Sequence, residues 1–230
     1  MGGRRRPVPM TVRAVIVDDQ PAMRQALRTI LEHHDIVVVA EAGDGEAGVR
    51  AARSYRPDVV VMDVRMPGRD GVAATAAVVG SVAESRVLVL TTFDLDEYLE
   101  GALRAGAAGF LLKNSPPEDL VAGVHAVAAG EGVLDKAVVG RVMARFAATA
   151  PAADVGAAID RLTEREKDVL ARLCHGDTNA EVAAALGMGE ATAKTHVSRI
   201  IAKLGVRDRV GAVIAAHEAG FAAARRTRPA

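Results

Sequence analysis

The first 130 residues alternate between two hydrophobic patterns. Short, nearly continuous apolar runs occur at Val12–Val17, Ile36–Ala40, Val59–Met62, Val87–Leu90 and Gly109–Leu112. They are rich in β-branched residues and show no polar alternation, as expected of strands covered on both faces. Helix-length segments separate them: Ala22–His33, Gly45–Tyr55, Gly71–Val79, Glu97–Arg104 and Pro117–Ala129. Five such repeats predict a parallel sheet with helices on its faces and right-handed crossovers. Val133–Phe146 has helical potential, and the following ATAPAADVG breaks regularity. From Ile159 onward the pattern is helical only. The expected division is a disordered tail (1–11), an α/β domain (12–130), a partly helical linker (131–158), a small all-α domain (159–222) and a basic tail (223–230).

Charge supports that division. The 230-residue chain has a formal net charge of zero. Residues 12–130 carry 11 Lys/Arg against 17 Asp/Glu, a net of −6, and residues 159–230 carry 12 against 9, a net of +3. An acidic front and a basic back point to different partners. The single cysteine, Cys174, rules out an intrachain disulfide and fits a cytoplasmic protein, most simply as a core hydrophobe. No apolar stretch approaches the ~18 residues of a membrane span. The arginines of MGGRRRPVPM have no apolar run behind them, so a signal peptide is not expected, and Met10 is an alternative start.

The predicted strands end in unusual company. The first runs into Asp18-Asp19, the third into Asp63, the fourth into Thr91-Thr92 and the fifth into Lys113. The carboxyl ends of a parallel sheet share one edge, where ligands bind. Any one of these residues alone is an ordinary start to a loop. Together, three carboxylates, a hydroxyl and an ammonium are what one phosphoryl-transfer site needs. The carboxylates repel one another unless a cation intervenes, and all-oxygen donors suit Mg²⁺. A carboxylate can itself be the nucleophile and form an aspartyl-phosphate.

The stretches VDDQ, MDVRMPGRDG, LTTFD and GFLLK resemble the motifs of response-regulator receiver domains over about residues 12–130. The resemblance implies a flavodoxin-like (βα)5 fold with strand order 2-1-3-4-5. It also implies Asp63 as phosphoacceptor and Mg²⁺ held by Asp18, Asp19, Asp63 and the backbone carbonyl of Arg65. Thr91 and Lys113 would contact the phosphoryl group. Phe110 would be the switch aromatic that rotates inward behind Thr91, although plain core packing also explains it. Arg65 and Phe93 would flank the path of attacking water.

In the back half, Thr163 with Glu166 and Thr178 with Glu181 form two capping boxes, and Gly176, Gly187 and Gly205 suit helix ends. Within the predicted helix Glu190–Leu204, Ala193, Val197, Ile200 and Leu204 make one apolar face, leaving Thr192, Lys194, Thr195, Ser198 and Arg199 outside it. That pattern fits a recognition helix in a major groove, and equally a solvated face of a small bundle. The segments LTEREKDVL, GDTNAEVAAALG and ATAKTHVSRIIAKLGV are similar to a LuxR-type helix-turn-helix over roughly 159–222. The similarity implies DNA contacts by Lys194, Thr195, Ser198 and Arg199, with Lys203 nearer the backbone. It also implies a dimer supported by the last helix, Asp208–Ala219, through Val210, Val213 and Ile214, which intradomain packing would explain equally.

The two resemblances together point to a NarL/FixJ-type two-component response regulator. It would be a cytoplasmic transcription factor rather than an enzyme, phosphorylated by a sensor histidine kinase and binding double-stranded DNA as a homodimer. The alternatives are DNA binding independent of phosphorylation and a haloacid dehalogenase-like phosphatase. The latter places nucleophile and second Asp two residues apart after the first strand, which VDDQP does not match.

Overall fold

The structure, a computed structural model, describes residues 11–66, 70–91, 96–134 and 153–221, without the side chains of 96, 97, 99, 100 and 153–155. Residues 1–10 of the expected tail 1–11, the whole expected tail 223–230, Phe93 and most of the Val133–Phe146 segment lie outside the described residues.

The front half is a doubly wound α/β unit. Its elements are β1 (Arg13–Val17), α1 (Pro21–His33), β2 (Val37–Ala42), α2 (Gly45–Tyr55), β3 (Val59–Asp63), α3 (Gly71–Ser81), β4 (Arg86–Thr91), α4 (Asp96–Arg104), β5 (Gly109–Leu112) and α5 (Pro117–Ala128). Every strand pair is parallel, in the order β2-β1-β3-β4-β5. The apolar runs are near-continuous because alternate residues serve two cores. Ala14, Ile16, Val59, Val61, Leu88, Leu90 and Leu111 pack with Leu27 and Leu31 of α1 and Leu120, Val124 and Val127 of α5. Val15, Val17, Val60, Met62, Val87, Val89, Phe110 and Leu112 pack on the opposite face with α2, α3 and α4.

The linker departs from expectation. Val133–Leu134 form a sixth strand, β6, parallel to β5 at the sheet edge. Here edge pairing prevails over local helix propensity. Gly130 (φ +79°) and Gly132 (φ +68°) turn the chain off α5, and the Val133 N–H then donates to the Ala108 carbonyl. β5 would otherwise present an unpaired row of backbone groups.

The back half is helical: α6 (Ala153–Asp160), α7 (Glu164–Leu173), α8 (Asn179–Leu186), α9 (Glu190–Leu204) and α10 (Arg209–Glu218). Both capping boxes form, at Thr163/Glu166 and Thr178/Glu181. α8 and α9 end on left-handed glycines, Gly187 and Gly205. The predicted face of α9 is confirmed: Ala193, Val197 and Ile200 are buried, and Leu204 packs partly against the same core. Val210 and Val213 of α10 are buried within this unit, and Ile214 packs partly against it.

Register brings the strand ends into one row. Val17 pairs with Met62, Asp63 with Leu90, and Thr91 with Leu112. Asp18, Asp63, Thr91 and Lys113 therefore emerge side by side. The row depends on Gly71. A β-carbon there would lie 2.1 Å from the Asp63 carbonyl oxygen and 2.6 Å from Val64 Cα. Gly80, on the same helix, is exposed with nothing within 4 Å of a built β-carbon. Opposite effects are expected from one methyl group. Gly71→Ala should lose about 1–3 kcal/mol through overpacking against backbone. Gly80→Ala should gain about 0.5 kcal/mol from lower unfolded-state entropy. Urea-unfolding midpoints of the two variants read both signs.

Candidate functional site

At the carboxyl edge of the sheet, Asp18 is 1% exposed and Asp63 4% exposed, with Asp19 partly buried beside them. One carboxylate oxygen from each of the three lies within 4.8 Å of the others. Lys113 Nζ donates to Asp18 Oδ2 and to Asp63 Oδ2, both at 2.7 Å. The remaining oxygens take backbone donors: the Gln20 N–H reaches Asp18 Oδ1 at 2.9 Å and the Arg65 N–H reaches Asp63 Oδ1 at 3.1 Å. Asp19 Oδ1 is buried with no hydrogen-bond partner. An open cavity of about 510 Å³ sits over this group, lined among others by Asp19, Asp63, Arg65, Met66, Tyr98 and Lys113.

The electrostatics follow from burial. Burial lifts the Asp63 carboxyl above its ordinary value, and the Asp18 charge adds to this. Lys113 and the Arg65 N–H pull the other way without cancelling the rise. For Lys113, burial pushes the ammonium down, but its hydrogen bonds to Asp18 and Asp63 prevail and raise it. One ammonium cannot balance three carboxylates. A site with surplus negative charge, all-oxygen donors and an orphaned buried oxygen on Asp19 fits a hard divalent cation such as Mg²⁺.

Asp18, Asp19, Asp63 and Lys113 are thus brought together as expected. Thr91 ends β4 at the same edge, and its carbonyl accepts the Lys113 N–H at 2.8 Å. Thr91 is buried and does not line the cavity. Phe110 is fully buried, between Val89 and Leu134 on the neighbouring strands. Tyr98, Gln20 and Asp70 also line the cavity and were not anticipated. Asp70 carries a legible signal, since it caps α3 through the Ala73 N–H at 2.8 Å.

The second candidate surface is α9. Lys194, Thr195, Ser198 and Arg199 are exposed on the side away from its buried face. The hydroxyls of Thr195 and Ser198 donate back to the carbonyls of Ala191 and Lys194. Lys194 is engaged by Glu131, at 2.6 Å. Lys203 has a task its sequence position did not suggest: its ammonium lies 2.6 Å from buried Glu166 Oε2. The same oxygen accepts from the Thr163 N–H and hydroxyl. The α7 capping box and the end of α9 therefore share one carboxylate.

Residues 14–125 match the sequence profile of the response regulator receiver domain, and residues 160–216 match that of bacterial regulatory proteins of the luxR family. The transcriptional regulatory protein LiaR of Bacillus subtilis is 35% identical, the alignment covering 90% of this chain and 97% of that protein. The nitrate/nitrite response regulator protein NarL of Escherichia coli K12 is 33% identical over 89% of this chain and 94% of its own. The chain belongs to the response regulators that join a receiver domain to a LuxR-type helix-turn-helix. The crystal structure of the response regulator ChrA, from a heme-sensing two-component system, has the same architecture. It is 38% identical with a TM-score of 0.52, covering 90% of this chain and 97% of that one. Within this response regulator, no described helix is long and apolar enough to cross a membrane.

The Glu166 cluster gives a pH test. Burial tends to raise its carboxyl, but hydrogen bonds from Lys203 and Thr163 prevail and hold it below the ordinary value. Its stabilising contribution is therefore complete above the unfolded-state value near ~4.3. It is lost as pH falls through the depressed folded-state value. Glu166→Gln should cost about 1–3 kcal/mol at pH 7, with the gap to the native protein closing on acidification below that range. Urea unfolding between neutral and acid pH measures it, and a gap that widens in acid would refute it.

Proposed function

We propose that this response regulator takes a phosphoryl group onto Asp63 from the phosphohistidine of a sensor histidine kinase, and thereby controls promoter binding by α9. The observation that carries the reading is the pairing of Asp63 with Lys113 beside Asp18 and Asp19, beneath an open cavity. A carboxylate oxygen of Asp63 attacks phosphorus as the bond to the histidine nitrogen breaks. Burial leaves that carboxylate poorly solvated and more basic, which favours nucleophilic attack. The Lys113 ammonium, already 2.7 Å from Asp63, is placed to pair with a transferred phosphoryl oxygen. The Thr91 hydroxyl donates to another, and Phe110 packs inward behind it.

Asp18, Asp19 and Asp63, with the Arg65 carbonyl, are the residues that would hold Mg²⁺. When bound there, the ion neutralises the carboxylates and the incoming phosphoryl oxygens. The chain acts as a regulator in the cytoplasm, its only chemistry being its own phosphoryl transfer and dephosphorylation.

For DNA, Arg199 and Lys194 supply charge, while Thr195 and Ser198 supply groups that reach phosphate or base edges. Lys203 adds to the phosphate contacts while tethered to Glu166. A homodimer, formed on phosphorylation or on DNA, would span half-sites about 10 bp apart. The burial of Val210 and Val213 leaves Ile214 as the more available apolar side chain of α10 for that contact.

Acetyl phosphate with Mg²⁺ should add one phosphoryl mass to the native chain and none to Asp63→Asn. Phosphorylation should also strengthen the footprint on DNA beside the chain's own gene. Label retained by the Asn variant would falsify the assignment of Asp63.

A further inference from the structure

A second open cavity, of about 500 Å³, lies between α5 with the β5-β6 edge and the starts of α8 and α10. That is the size of a small-molecule pocket, roughly 300–1,000 Å³. The wall on the sheet side is apolar, formed by Leu111, Ala122, Gly123, Ala126, Val133 and Leu134. The facing wall carries Asn179 and Arg209, the first residues of α8 and α10. Both polar side chains are 7% exposed, and neither is fully satisfied. Among the described residues, the Arg209 guanidinium makes one hydrogen bond, to the Asp177 carbonyl, and no ion pair. Burial pushes it below its ordinary value, although the charges of Glu131, Asp177 and Glu181 oppose the fall. Asn179 Nδ2 donates to Glu131 at 3.2 Å, but Asn179 Oδ1 is buried with no hydrogen-bond partner. A buried acceptor without a donor is costly, as is a buried cation with N–H groups to spare. Asp177 stands two residues before Asn179, so the guanidinium and the amide oxygen share one corner of the cavity.

We propose that this cavity binds an uncharged small molecule with an apolar body and a carboxamide head. The body lies on the wall from Leu111 to Ala126. The head carbonyl accepts from Arg209, and the head N–H donates to Asn179 Oδ1. Charge selects the neutral form. Asp119, Glu131, Glu181 and Glu190 also line the cavity, and four carboxylates against one guanidinium disfavour an anion. A cationic head is kept from the inner corner by Arg209 itself, and it has no acceptor to offer there. The phosphoacceptor cavity and this one share no lining residue, so binding here does not depend on Asp63. The regulator thereby has a second chemical input, of a kind its acidic site cannot take.

NMR titration of the full, unphosphorylated chain with benzamide, benzoate and benzamidine tests this. The three compounds share a ring and differ in the charge of the head. Benzamide should bind at about millimolar strength, as its size allows, and more tightly than the other two. Ala122→Phe changes an exposed position of α5 and places a ring in the cavity, so it should abolish benzamide binding. Arg209→Met keeps an unbranched apolar side chain and should weaken binding about tenfold or more, the loss of one hydrogen bond to a charged group. Thermal melting followed by circular dichroism shows that each variant is folded, and Ala122→Phe decides the matter if Arg209→Met is not. The proposal is overturned if benzamide does not bind the native chain, or if benzoate or benzamidine binds more tightly. Undiminished benzamide binding in Ala122→Phe overturns it equally.

Discussion

Burying carboxylates at the edge of an apolar sheet is costly, and much of this molecule is arranged around that cost. Asp18 and Asp63 are almost wholly withdrawn from water. Uncompensated, such groups would take up protons rather than stay charged. Lys113 meets both, and two backbone N–H groups meet their outer oxygens. None of these donors is local to both acids. Lys113 arrives from β5, Gln20 from the start of α1 and Arg65 from the loop after β3. The site therefore exists only when the parallel register is correct, and site formation is tied to folding of the whole α/β unit. Charge remains in excess, so the resting site is poised to accept a cation and, with it, an anion.

The helical unit solves a smaller version of the same problem. Glu166 is buried at the start of α7, yet it satisfies the orphan donors of its own helix and the Lys203 ammonium together. One carboxylate thus joins the first and third helices of the helix-turn-helix. Apolar contacts through Ala193, Val197 and Ile200 set how α9 lies, and the Glu166–Lys203 pair pins its far end. The exposed face of α9 is left with side chains whose hydrogen bonds are local or easily exchanged, as a nucleic-acid surface requires.

The strands and the acidic site were legible because their signals are redundant. Uninterrupted Val-rich runs mean strands buried on both faces, Asp18-Asp19, Asp63, Thr91 and Lys113 stand at their ends, and the resemblance of those stretches to receiver domains implies the strand order that brings them together. The capping boxes were legible for a similar reason, since hydroxyl and carboxylate stand three residues apart. What escaped notice was non-local. β6 is two residues long, too short for any periodic signal, and it exists because β5 has an open edge. The pairing of Lys203 with Glu166, 37 positions earlier, has no local signal either. Tyr98 and Glu131 belong to surfaces that appear only after packing.

Non-local contacts also join the two halves: Glu131 pairs with Lys194 of α9, and Gly132 packs against α10. An apolar sheet packed on both faces has little room to deform continuously, so a change at one strand end is passed to neighbouring strands or not made at all. Asp63 of β3 pairs with Leu90, the residue before Thr91 on β4, and Phe110 of β5 pairs with Val89, two before it. β6 extends that sequence by one strand, and its chain leads out of the receiver domain. Gly132, just before it, spares the junction a side chain where the turn meets α10, a β-carbon there lying 3.4 Å from Arg209 Cβ. The ladder resists bending, and the two glycines at positive φ, Gly130 and Gly132, let the chain leave it in a tight turn that places Glu131 within reach of Lys194.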